Sequence, residues 1–418
     1  MNSKIIIDCQ DQQTRVALLE DDNLAELYIE DNDRKRTVGN IYRGKVINVL
    51  PGMQAAFIDI GLDRNAFLYI DDIVGHDNKT IEEILKEGQE LTVQVNKEAS
   101  GSKGARVSTN ISLPGKHIVL IPTADYIGVS KKIADAEERK QLKDLANELK
   151  PEDMGLIIRT AAKDIRAKTL KRELALLLDL WEDLKNKEQE GKVPRLLYSD
   201  ESLIYRTFRD HFNNDVEKLI INDFDQYKKI LSWTKRLMPK FKNRIYYQET
   251  GQELFSQYGI EDKIKQAVRR KVWLKSGAYL IIEPTEALTV IDVNTGKYVG
   301  KTDLEDTVLK TNLEAVDQIA AQIRLRDIGG IIIIDFIDMV EEDHRQVVLE
   351  ALRAAVKKDR TKTNIVGFTG LGLVEMTRKK ARQRLSASLL KSCPHCGGMG
   401  KVFCCPDNDS NDSDIEDN

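Results

Sequence analysis

The sequence contains no apolar stretch longer than a handful of residues, far short of the roughly 20 that cross a bilayer, so no membrane span is expected. Its first residues, "MNSKIIIDCQDQQTRVALLED", lack an apolar segment of signal-peptide length and soon turn acidic, which argues against secretion. Five cysteines in 418 residues do not make a disulfide framework, so reduced thiols and a cytoplasmic setting are expected. Repeats of solenoid length are missing, and so is any low-complexity body. What remains is the composition of a globular protein, 41% hydrophobic and 32% charged. Its length exceeds what one core organises, so two to four domains are expected.

A basic excess is missing too, since the net charge is −4, but the balance is uneven. The tail "CPDNDSNDSDIEDN" (405–418) holds six acidic and no basic residues, and residues 1–406 without them carry +2. Such a tail reads as disordered. Basic clusters stand at Lys235, Arg236, Lys240, Lys242 and Arg244, and at Arg269, Arg270 and Lys271. Taken alone they are as compatible with a solvated face as with a polyanion.

Along the chain, residues 1–37 alternate as a β-meander and 38–112 continue as short strands with Gly-bearing turns, the pattern of a small β-barrel. The charged stretch "KTIEEILKEG" interrupts it as a helical insertion. Residues 113–200 mix strands with two helical segments, "DAEERKQLKDLANELK" and "KDIRAKTLKRELALLLDLWEDLKNK"; residues 201–268 are mixed again. From 277 the order strand, strand, helix, strand, helix, strand, helix predicts a layered α/β domain.

Two runs in that last part end on an acid. "LTVIDVNTGKYVG" (288–300) and "GGIIIIDFIDM" (329–339) read as buried strands that place Asp292 and Asp335 near their carboxyl ends. An ionised carboxylate is costly to desolvate unless something positive meets it. In an α/β layer, reactive groups collect beyond the carboxyl ends of strands. If the two strands are neighbours, about 4.8 Å apart, the carboxylates can share one divalent ion. Oxygen ligation with waters retained favours Mg²⁺. The bland alternative is two ordinary strand-end aspartates capping turns; Asn294 and Asp338 alongside weigh against it.

The stretch from "ALTVIDVNTGKYVGK" through "DLEDTVLKTNLEAVDQIAAQIRLRDIGGIIIIDFIDM" resembles the catalytic segment of the ribonuclease E/G family of bacterial endoribonucleases, and the likeness runs from residue 1 to about 403. The resemblance implies Mg²⁺ on Asp292 and Asp335 and a catalytic role for Asn294. The implied activity is Mg²⁺-dependent hydrolysis of single-stranded RNA, leaving 5′-phosphate and 3′-hydroxyl ends, in rRNA and tRNA processing and mRNA decay. It also implies the architecture. An RNase H-like subdomain (1–37 and 201–268) would receive an S1/OB-type barrel (38–112) as an insertion. A 5′-phosphate sensor region (113–200), a DNase I-like α/β catalytic domain (269–392), a zinc-link knuckle (393–405) and the acidic tail (406–418) would complete the chain.

"NIYRGKVINVLPGMQAAFIDIGLDRNAFLYIDDI" resembles an S1 barrel, on which Phe57 and Phe67 can stack single-stranded bases. A strand phenylalanine is otherwise usually core, and the resemblance tips that balance. The Gly-rich loop "ASGSKGARVS", with Lys103 and Arg106, can approach a phosphate backbone closely, and the resemblance implies an RNA-binding role for Lys103. In "LIIRTAAKD", Arg159 and Thr160 offer a guanidinium and a hydroxyl to a terminal phosphate. The family likeness adds Val119 to this pair and a preference for 5′-monophosphorylated RNA.

In "SCPHCGGMGKVFCC", Cys393 and Cys396 have zinc-knuckle spacing but supply only two of four ligands. The resemblance implies one Zn²⁺ shared between two such knuckles, hence a homodimer. Cys404 and Cys405 leave an intrachain site open, and His395 is a further possible ligand. Family members commonly continue into a small C-terminal domain, which puts assembly beyond the dimer in doubt here. The rival readings are a non-catalytic S1-type RNA-binding protein and a different metal-dependent phosphodiesterase, for example one acting on DNA.

Overall fold

The computed structural model describes residues 2–400 apart from 33–35, 78, 100–102, 134, 164, 201, 250–253, 297–303 and 399. The acidic tail, Cys404 and Cys405 lie outside the described residues. The chain divides into two units, 1–23 with 28–258 and 24–27 with 259–418.

The first unit carries three sheets. One has the strand order Ile245–Tyr247, Val216–Ile221, Ser3–Cys9, Gln13–Glu20, Asn23–Asp31. The expected N-terminal meander is its antiparallel side, while Val216–Ile221 joins Ser3–Cys9 in parallel. The apolar runs "KIIID" and "KLII" bury Ile5, Ile7, Leu219 and Ile221 among Phe208 and Ile230 of the covering helices Leu203–His211 and Phe224–Leu237, and Phe212 just after the first.

The second sheet closes into a five-stranded barrel. Strand Ile41–Leu50 pairs with Ala55–Asp59 through its later half and with Glu90–Lys97 through its earlier half. Ala66–Tyr69 and Arg106–Ser108 complete the ring. Val46, Ile58, Leu68, Val93, Val95 and Val107 fill the interior, and these closed strands are consistent with the expected S1/OB-type barrel. The charged insertion is only one helical turn, Ile81–Ile84, held by a Thr80–Glu83 capping box. An unforeseen sixth strand, Arg195–Tyr198, pairs with the start of Ile41–Leu50.

The third sheet orders Ile127–Val129, Gly155–Ile158, Ile118–Ile121 and Leu113–Pro114. Helices Ala136–Leu149 and Ala167–Glu188 share its core through Leu142, Ala146, Leu170, Leu174 and Leu177, spaced three or four apart so that they line one helix face.

The second unit is built on one six-stranded sheet: Lys271–Trp273, Tyr279–Pro284, Leu288–Asn294, Gly330–Asp335, Val374–Arg378 and Thr363–Phe368. Helices Leu304–Leu325 and Glu342–Val356 cover one face through Val316, Ile319, Ile323, Val348 and Leu352. The structure corrects the sequence reading in two places. The expected final strand–helix step gains an antiparallel strand, Val374–Arg378, before the short helix Leu385–Leu389, because "VEMTR" buries Val374, Met376 and Arg378 and exposes Glu375 and Thr377, a period of two. The "IIII" run is also not buried on both faces: Ile332 and Ile334 are core, whereas Ile331 is 48% exposed.

Candidate active site and binding surfaces

The strands that carry the two aspartates are parallel neighbours, and Asp292 stands directly opposite Asp335. Alternation along Leu288–Asn294 buries Thr289, Ile291 and Val293 and turns Leu288, Val290, Asp292 and Asn294 to the other face. Ile331, Ile333 and Asp335 share that face. Asn294 Nδ2 donates to Asp292 Oδ2 at 2.7 Å. Partial burial, then the negative charges of Asp292 and Asp338, push the Asp335 carboxyl above its ordinary range. Two carboxylates about 4 Å apart repel by about 1 kcal/mol in water and about 4 kcal/mol at a protein-surface dielectric. Among the described residues no side-chain cation pairs with either aspartate to offset this.

The chain behind Asp335 is held by three side chains that sequence reasoning missed. Fully buried Asn312 donates through Nδ2 to Ile337 O at 2.8 Å and accepts from Ile337 N at 3.1 Å. Glu305 Oε1 accepts from the amides of Val340 and Glu341. Arg345 donates to Met339 O. On the other strand, Gly296 adopts φ +61°, where a Cβ would meet Gly277 O at 2.5 Å, so only glycine fits this turn after Asn294.

Among the described residues no group of three or more His, Cys, Asp or Glu side chains is placed to hold a metal ion. The donor set still suits Mg²⁺, which keeps several waters and binds through one or two carboxylates. The like-charge pair, with one carboxyl already pushed upward, is the local chemistry that a divalent cation relieves.

On the barrel, Phe57 and Phe67 are opposite one another on paired strands, half-buried, with ring centroids 5.4 Å apart. Tyr69, two residues on and 4.4 Å from Phe67 by centroid, extends the patch, and Arg106 lies over its ring at 4.7 Å. Tyr69 was not foreseen, although its i, i+2 spacing from Phe67 was the available signal. Lys103 is exposed. Its neighbour Gly104 passes so close to Asn65 O that a Cβ there would collide.

Arg159 follows strand Gly155–Ile158, and its amide donates to His117 O at 2.8 Å, beside the strand that carries half-buried Val119. The guanidinium donates to Gly115 O at 2.6 Å and pairs with Asp210 at 2.5 Å. Burial raises the Asp210 carboxyl, but Arg209 and Arg159 outweigh it and hold the group well below the usual carboxylate range. Exposed Thr160 meets Ser130 Oγ at 2.8 Å. Arg159 and Thr160 are thus adjacent and oriented by neighbours.

Residues 112–381 match the profile of the Ribonuclease E/G family. Ribonuclease G of Salmonella typhimurium (strain SL1344) is 42% identical over 414 residues, covering 96% of this chain and 85% of that protein. Ribonuclease G of Escherichia coli (strain K12) is 41% identical over the same span. The chain belongs to the ribonuclease E/G family. Ribonuclease E of Escherichia coli (strain K12) is 37% identical over 417 residues, which are 39% of its length.

The remaining motif of this ribonuclease E/G chain is the cysteine knuckle. Cys393 is exposed and Cys396 half-buried. Gly400 N donates to Cys396 Sγ at 3.2 Å, and this bond, then one from Gly398, draws the thiol below its ordinary range. Amides aimed at sulfur favour the thiolate that zinc binds. Two sulfurs do not complete a tetrahedral site, so this part of the chain fits Zn²⁺ only with ligands from elsewhere.

Proposed function

We propose that this endoribonuclease hydrolyses phosphodiester bonds of single-stranded RNA at the Asp292–Asp335 pair, leaving 5′-phosphate and 3′-hydroxyl ends. The observation that carries the reading is the parallel register that sets the two carboxylates opposite each other. Asp292 and Asp335 would hold Mg²⁺, which when bound supplies charge neutralisation at the phosphoryl group and lowers the pKa of a coordinated water. Asn294 keeps one amide hydrogen and its carbonyl oxygen for the phosphate or the attacking water, since its other hydrogen is spent on Asp292. In-line attack by water forms one P–O bond and breaks the bond to the 3′ oxygen.

In the same reading Phe57 and Phe67 stack bases, Lys103 meets the backbone, and Arg159, Thr160 and Val119 receive a 5′-monophosphate. Strands Ser3–Asp31 followed by the parallel Val216–Ile221 and Ile245–Tyr247 support an RNase H-like subdomain, and the six-stranded sheet supports a DNase I-like catalytic domain. Paired knuckles sharing Zn²⁺ would make a homodimer. Processing of rRNA and tRNA and decay of mRNA are the cellular roles this chemistry fits, in the cytoplasm; no described helix is long and apolar enough to cross a membrane. A pure RNA binder would gain nothing from a repelling carboxylate pair.

The test is cleavage of a short 5′-monophosphorylated RNA in Mg²⁺, in EDTA and beside its all-DNA twin. Metal-dependent cutting of the RNA alone is expected. Asp292→Asn or Asp335→Asn should lower kcat by on the order of a thousandfold while RNA affinity stays within a few-fold. Equal loss of binding and cleavage would sink the metal-site assignment.

A further inference from the structure

The basic cluster Arg269–Lys271 opens the edge strand of the six-stranded sheet, and its last member belongs to an aromatic group outside the site described above. Trp273, two residues after Lys271, is 60% exposed. Its ring meets Tyr279 edge-on, with centroids 5.3 Å apart and planes at 65°. Lys271 Nζ sits 3.9 Å from the Trp273 centroid and 3.5 Å from that of Tyr279. The register puts Trp273 opposite Tyr279, and Tyr279 opposite Asn294. Directly opposed residues project from the same face of a sheet. Trp273, Tyr279, Asn294 and Asp292 therefore share one face, with Trp273 two strand spacings, about 10 Å, from Asn294.

We propose that Trp273, braced by Lys271 and Tyr279, is a stacking subsite for an unpaired base of the RNA that flanks the bond cut at Asp292 and Asp335. The inference rests on the cleavage reading above and adds a substrate contact to the same sheet face. A single exposed tryptophan needs no explanation by itself. Here the indole is held on one side by a cation and at its edge by a second ring, so little side-chain freedom is left to lose when a base arrives. The ammonium brings positive charge to where the adjoining phosphates would run, and an aromatic plane with a nearby cation is how single strands are gripped without regard to sequence. Being 60% exposed, the indole retains an open surface for the base.

The test has two readouts. In EDTA, so that substrate persists, titration with single-stranded RNA should quench tryptophan emission in the wild type. Trp273→Phe should lose most of that quench, although Trp181 and Trp233 remain. In Mg²⁺, Trp273→Ala and Trp273→Leu should raise KM by on the order of tenfold, the worth of one base stack, with kcat little changed. Trp273→Phe should retain near-wild-type KM. Substrates made abasic at one position at a time should identify one position where wild type and Trp273→Ala become equal. An unchanged quench in Trp273→Phe, or unchanged KM in both Trp273→Ala and Trp273→Leu, would overturn the subsite. Failure of the wild type to cut any RNA, with the quench present and carried by Trp273, would overturn the cleavage reading and leave the stacking site standing.

Discussion

Arg159 has fixed partners on two sides: the carbonyl of Gly115 and the carboxylate of Asp210, which Arg209 also engages at 3.0 Å. A guanidinium oriented this way offers its remaining donors without first losing rotamer freedom. Arg159→Ala should erase the advantage of 5′-monophosphorylated over 5′-hydroxyl RNA, and an unchanged ratio of kcat/KM would sink the sensor role. Asp210→Asn should reduce the same ratio partway, because the arginine stays but loses its anchor. It should also lower stability by about 2 kcal/mol at neutral pH, the scale of a hydrogen bond to a charged group. The pH dependence has a definite sign. A depressed carboxyl adds stability that is complete above its unfolded value, near 4, and shrinks as pH falls towards its folded value. Denaturation at pH 7 and pH 3 should therefore show a smaller gap between wild type and Asp210→Asn at pH 3; a gap that widens on acidification would refute the ion-pair account.

At the scale of elements, the candidate site depends on a loop that the strand pattern does not describe. Residues 336–341 are fixed by Asn312 and Glu305 from one helix and by Arg345 from the next. Asn312→Ala leaves the Ile337 amide and carbonyl without their side-chain partner in a buried place, so a loss of about 1–3 kcal/mol is expected. If Asn312 positions Asp335, the same variant should need more Mg²⁺ for half-maximal rate and lose kcat about tenfold or more, with KM for RNA steady. A drop in stability alone would reduce Asn312 to a structural residue. The aspartates were legible because an acid at the end of an apolar run is costly and therefore conspicuous. Their strands prove to be direct neighbours, which the sequence leaves as a condition. Asn312, Glu305 and Arg345 were not legible, since polar residues on helices look alike until the packing is known. The closing hairpin was missed for another reason. "GLVEMTRKK" follows an α/β rhythm that primes for a helix, yet its alternating burial and the turn at Gly370–Gly372 make an antiparallel strand. Tyr69 and Trp273 escaped because a strand aromatic is usually core, and sequence does not reveal which face of a sheet is left open.

For the whole molecule, the knuckle raises a question of stoichiometry that composition cannot answer. Cys393 and Cys396 supply two sulfurs, and Cys404 and Cys405 fall outside the described residues. A tetrahedral site completed by a second chain holds one zinc for two chains; one completed within the chain holds one zinc each. Metal analysis of purified protein should give the first ratio, and sedimentation should give a dimer. Cys393→Ser or Cys396→Ser should lose the zinc and shift the protein towards monomer, because a serine hydroxyl does not replace the thiolate that zinc binds. The monomer should still cut RNA at saturating Mg²⁺, since Asp292, Asn294 and Asp335 come from one chain and their core does not include the knuckle. Its cost should fall instead on substrates long enough to reach two chains at once, where a linked pair gains effective concentration. A zinc-free variant that stays dimeric would remove the shared-metal interface, and one zinc per chain in the wild type would transfer the site to Cys404 or Cys405.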